Sequence, residues 1–79
     1  MKALTIRQRF YLGVIRSWVL EKGWPPTLLE LAEAGGVKST NGVSDVLEVL
    51  VREGYLTRVV GQFRSMRLTG AGERACVQP

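Results

Sequence analysis

The stretch from Gly23 to Gly36 constrains this chain most. Gly23-Trp24-Pro25-Pro26 stops any helix arriving from the N-terminal side. Proline lacks the N–H a helix interior needs, and glycine suits the position just past a helix end. Thr27-Leu28-Leu29-Glu30 follows at once and has the form of a capping box. In that motif the Thr27 hydroxyl and the Glu30 side chain satisfy two free backbone N–H groups, so a new helix starts firmly there. Gly35-Gly36 then ends it. The helix between is short, with Leu28, Leu31 and Ala32 facing inward and Val37 plugging the turn that follows.

A longer helix is expected on each side of this insert. Upstream, Thr5-Ile6-Arg7-Gln8 is another capping box. Phe10, Val14 and Trp18 recur at helical spacing beside Tyr11, Ile15 and Val19, which predicts a broad buried stripe. Downstream, Ser39 or Thr40 caps a third helix. Val43, Val46, Leu47, Leu50 and Val51 form its inner face, and Asn41, Ser44, Asp45, Glu48 and Arg52 its outer one. Arg52 falls in the last turn, where a cation suits the helix dipole, and Gly54 is the stop.

From Tyr55 the pattern changes to strand formers. Tyr55–Val60 and Phe63–Leu68 flank Gly61-Gln62 and read as a β-hairpin. Met66 and Leu68 share one side. The first strand is ambiguous, because burying Leu56 at a strict period of two also buries Arg58. A bulge or an early end to the strand resolves the conflict. Residues 70–79 are expected to be a frayed, flexible tail, leaving 1–69 as the domain.

The chain has 79 residues, 46% hydrophobic and 23% charged, which is the composition of one soluble globular domain. No apolar run is long enough to span a bilayer, and no secretion signal is visible at the N-terminus. The expectation is a cytoplasmic protein with no membrane partner. With no histidine and one cysteine, Cys76, neither a zinc site nor an internal disulfide is expected, and no cofactor. No nucleophile–base pair and no phosphate-binding loop is present, so an enzyme is not expected. The net charge of +4 leans towards an acidic partner. The charge is also unevenly placed. Lys2, Arg7 and Arg9 lie at one flank and Arg58, Arg64 and Arg67 at the other, around a middle holding Glu30, Glu33, Asp45, Glu48 and Glu53.

Three helices followed by a hairpin, with a tight glycine turn between the second and third, is the element order of a winged helix-turn-helix. The expected fold is therefore mostly α, a three-helix bundle with a two-stranded wing. In this geometry the second helix braces the third, and the third offers its outer side to the DNA major groove. Asn41 is the strongest candidate reader, since asparagine can hold adenine through two hydrogen bonds. The competing reading of Asn41 is a helper of the helix cap. Ser39 is read as both a cap and a DNA contact. Lys38, Arg64 and Arg67 are candidate phosphate contacts. Phe63, near the wing tip, packs back on the domain, enters the minor groove or touches a second subunit.

Several motifs together resemble the N-terminal DNA-binding domain of the LexA repressors. They are the opening MKALT with Arg7-Gln8, Ile15-Arg16, Gly23-x-Pro25-Pro26-Thr27, Glu30-x-Ala32, Ser39-x-Asn41, Leu47-x-x-Leu50-x-Arg52-x-Gly54 and Arg64-x-x-Arg67-Leu68. The resemblance covers roughly residues 1–68 and implies a transcriptional repressor domain reading one half of a palindromic operator in double-stranded DNA. It assigns base contacts by position to Ser39, Asn41, Gly42, Ser44 and Asp45. Ser39 and Asn41 match the family pattern. Gly42, Ser44 and Asp45 depart from its usual Ala and paired Glu, so a different operator sequence is expected. Backbone contacts are assigned to Thr27, Lys38, Thr40, Arg52, Arg64 and Arg67. LexA repressors continue into a self-cleaving, dimerising domain for which 79 residues leave no room. The expectation is a stand-alone regulator from a phage or another mobile element, or an excised domain, with at most a weak homodimer on DNA. The alternative is a protein-interaction module on the same scaffold, an antirepressor or modulator of a LexA-type repressor.

Overall fold

The computed structural model describes residues 4–77, in the order α1 (Ile6–Lys22), α2 (Leu28–Ala34), α3 (Asn41–Arg52), β1 (Leu56–Thr57), β2 (Arg67–Leu68) and α4 (Gly70–Val77). Both predicted capping boxes form. Gln8 N–H donates to Thr5 Oγ1 at 3.1 Å and Thr5 N–H to Gln8 Oε1 at 2.9 Å. Glu30 and Thr27 repeat the exchange at 3.1 and 2.8 Å. Pro25 and Pro26 are buried against the body of the protein, which fixes where α2 begins.

One core joins the elements. Tyr11, Leu12 and Ile15 of α1 meet Leu31 and Ala32 of α2, Val43, Val46, Leu47 and Leu50 of α3, and Leu56 and Met66 from the hairpin. The buried face of α1 is thus rotated from the expected stripe. Leu12 is fully buried, whereas Phe10 is exposed and Val14 and Trp18 are only half-buried. The sequence offers apolar residues all around α1, so periodicity alone could not choose the inner side. Val37 and Val51 are corrected in the same way, since both end on the surface.

The hairpin is shorter than expected. Its antiparallel ladder pairs Leu56 with Leu68 and Thr57 with Arg67, and goes no further. The strand ends before Arg58, which spares that cation from burial. Beyond it a side chain replaces the ladder. The Ser65 hydroxyl accepts from Val59 N–H at 3.0 Å and lies within donating distance of the carbonyls of Val59 and Gln62.

The largest correction concerns the expected tail. Residues 70–77 form α4, a fourth helix lying on α1, and so belong with the folded body; residues 78 and 79 fall outside the described residues. Thr69 starts this helix. Its hydroxyl donates to the Gly54 carbonyl at 2.6 Å and accepts from Gly72 N–H at 3.1 Å. Glu73 takes the Arg16 guanidinium at 2.6 Å, and Ala75 and Cys76 pack against the core. The glycines that suggested a turn serve close packing instead. Gly72 is buried with the Tyr55 carbonyl where a Cβ would stand.

Candidate nucleic-acid interface

α3 is divided cleanly between core and surface. Val43, Val46, Leu47 and Leu50 hold one side in the core, leaving Asn41, Asp45 and Glu48 exposed and Ser44 half-buried on the other. The cap at its start is made by Ser39, whose Oγ accepts from Asn41 N–H at 3.1 Å, while Thr40 makes no side-chain cap bond. The Asn41 side-chain amide makes no hydrogen bond within the described residues. It is therefore unengaged by the cap and free to meet an outside partner. Gly42 lies under a cation from another element: a Cβ there would stand 2.9 Å from Arg7 Nη2 of α1.

Two clefts separate α3 from the wing. One, of about 330 Å³, is lined by Ser44, Glu48 and Val51 of α3 and by Arg58 and Val60. The other, of about 550 Å³, lies between the starts of α2 and α3 and the wing loop, and includes Thr27, Thr40, Arg58, Phe63 and Arg64. The structure thus gathers three predicted backbone-contact residues, Thr27, Thr40 and Arg64, around one concavity. Arg58 borders both clefts and was absent from the predicted site. Its signal was the strand pattern that could not bury it.

The cations differ in how free they are. Lys38, Arg52 and Arg58 form no ion pair among the described residues. Arg64 is held at home instead. Its Nη1 donates to Glu30 Oε1 and to the Pro25 carbonyl, each at 3.0 Å, and its Nη2 to Glu30 Oε2 at 3.2 Å. The guanidinium also lies 6.0 Å from the centre of the Trp24 ring. Arg64 adopts φ +54°, and this four-fold engagement holds it there. Glu30 is correspondingly held below the ordinary carboxylate range, first by the Thr27 N–H and then by Arg64. Arg67 points elsewhere. It lines a cleft with Arg16, Leu20 and Glu73 that shares no residue with the two beside α3. The structure therefore does not bring Arg67 together with the α3 surface. Phe63 does not pack back onto the core; it is 84% exposed on the wing.

The family profile described as "LexA DNA binding domain" matches residues 1–65. The chain belongs to that family. It is 48% identical over 75 residues to the LexA repressor of Sorangium cellulosum, a match covering 91% of this chain and 33% of that protein. It is 42% identical over 73 residues to the LexA repressor of Mycobacterium bovis, covering 92% of this chain and 31% of that protein. It is 40% identical over 77 residues to that of Mycobacterium ulcerans, covering 98% and 32%. The LexA-type domain described here thus spans about a third of the length of these curated relatives. Its helices and two-stranded hairpin fit a winged-helix DNA-binding domain, and no helix of the described residues is long and apolar enough to cross a membrane.

Proposed function

We propose that the chain is a sequence-specific reader of double-stranded DNA acting as a LexA-type repressor. α3 lies in the major groove, and the wing rests on the adjacent backbone. The observation that carries this reading is the exposed Asn41 amide, unbonded among the described residues and standing in the first turn of a helix whose other side is locked in the core. Ser39, Gly42, Ser44 and Asp45 extend the reading surface. Asp45 can accept from a cytosine amino group. Thr40, Thr27, Lys38, Arg52 and Arg58 supply the phosphate contacts. Arg64 leaves that set and acts instead by holding the wing against the start of α2. The operator is palindromic, with a second copy on the second half-site.

In vitro selection from random duplex DNA tests the reading. The parent chain enriches a palindrome, whereas Asn41→Ala loses about 10-fold to 100-fold of its discrimination at one base position and keeps weak general binding. Lys38→Ala or Arg58→Ala lowers the slope of log affinity against log salt by about one. Arg64→Ala weakens binding with that slope nearly unchanged, because its charge is already matched by Glu30. Unenriched oligonucleotides would remove the proposal. The exposed Phe63 and Val60 on the wing favour a second reading, a contact with another repressor protein. Capture of a LexA-type repressor together with a flat DNA titration at low salt would select it.

A further inference from the structure

Arg7 stands in the first turn of α1, yet its guanidinium ends at the first turn of α3. Cζ lies 5.8 Å from the centre of the buried Tyr11 ring. From that seat Nη2 reaches Gly42, 2.9 Å from where a Cβ would stand, with Cζ and Nη1 behind it at 3.8 and 3.9 Å. The end of Arg7 thus fills the space that a side chain at position 42 would take. A ring face holds a cation without using its N–H donors. Those donors stay available, since Arg7 is exposed and its side chain forms no ion pair and no hydrogen bond among the described residues. A cation is disfavoured in the first turn of a helix, so the dipole of α1 does not account for Arg7 either.

The exposed side of α3 is centred on Asn41, Asp45 and Glu48. Each residue turns a helix by about 100°. Ser44, Glu48 and Val51 therefore border one flank of that side, where they line a cleft with Arg58. Gly42 falls on the opposite flank, beside Arg7. The two cations straddle a face whose own acids, Asp45 and Glu48, repel phosphate. A helix lying in the major groove has a phosphate backbone along each side. We propose that Arg7 is a phosphate contact admitted by Gly42, gripping the backbone on the α1 side of the groove while Arg58 and the wing hold the other. Gly42 serves the surface by leaving room for the guanidinium. The assignment rests on α3 being the helix that reads DNA, and it adds a residue of α1 to the phosphate contacts. With a strand gripped on each flank, the acids of α3 meet the base edges and are kept from the backbone.

The test is a set of titrations of the full chain with the duplex that the parent enriches, at salt from about 50 to about 200 mM. Arg7→Gln lowers the slope of log affinity against log salt by about one and leaves the enriched sequence the same. Gly42→Ala has the sharper signature. Alanine is the better helix former, and the only atoms it displaces are at the free end of a flexible side chain, so the thermal midpoint is kept or raised. Binding nevertheless weakens about ten-fold, and the salt slope falls to that of Arg7→Gln. In a chain already carrying Arg7→Gln, adding Gly42→Ala changes affinity by less than about two-fold. A parent-like slope in Arg7→Gln overturns the proposal while the enriched operator leaves the reading by α3 standing. An equal loss from Gly42→Ala with and without Arg7 overturns it too, since Gly42 would then touch DNA itself. A parent chain that enriches no duplex removes both.

Discussion

Gly72 shows how a single atom can decide whether an element exists. The Tyr55 carbonyl occupies the space a Cβ would need, and that carbonyl also accepts from Thr69 N–H at 3.1 Å, so it cannot retreat freely. Gly72→Ala is therefore expected to lower stability by about 1–3 kcal/mol in urea denaturation, although alanine is the better helix former. A neutral result would mean that α4 is not seated as described. The same reasoning shows what was legible at this scale. Thr5, Gln8, Thr27 and Glu30 announced themselves because capping boxes are local, with both partners three residues apart. Arg64 read as a candidate phosphate contact, and its hold on Glu30 and Pro25 stayed hidden because both are far from it along the chain. Leu12 was missed because α1 has apolar residues on both sides, and only the position of its neighbours shows which side is inner.

At the scale of elements, α2 and the wing are tied through one carboxylate. Glu30 closes the cap of α2 and grips Arg64 of the wing loop. Its pKa is lowered from the ordinary 4.5, chiefly by the Thr27 N–H. A carboxyl with a depressed folded-state pKa stabilises the fold above its unfolded value, and that stabilisation disappears as pH falls through the folded value. Stability measured by thermal melts should therefore decline as pH drops below about 4.5, and Glu30→Gln should flatten part of that decline. If the mutant and parent profiles run parallel, the coupling is absent. The helix order and the presence of a hairpin were readable from punctuation and periodicity. The brevity of the strands was not, because Ser65 replaces ladder bonds with its side chain, and no propensity records that. α4 was hidden by its glycines, which mark turns by composition but here mark contact. Of the candidate site, the division of α3 into an apolar and a polar face was visible in the sequence. The separation of Arg58 from Arg67 required the three-dimensional path of the wing.

At the scale of the whole molecule, α1 is the axis. It touches α2, α3, α4 and β2, so α3 and the last described helix, α4, are braced by the same element. Cys76 reports on this arrangement. Burial against α1 pushes its thiol above the usual range, which leaves less reactive thiolate at any given pH. Alkylation followed by mass spectrometry should be slow in the folded chain. It should quicken in Glu73→Gln, which removes a negative charge that raises the thiol pKa as well as the charged partner of Arg16. Equal rates in the folded and urea-unfolded protein would show that α4 is not held. The two-rung ladder has a further consequence for how copies can meet. Leu56–Thr57 and Arg67–Leu68 present too little open edge for a strand from another molecule to extend. Growth by sheet addition, the first step towards fibrils, has no template in this wing.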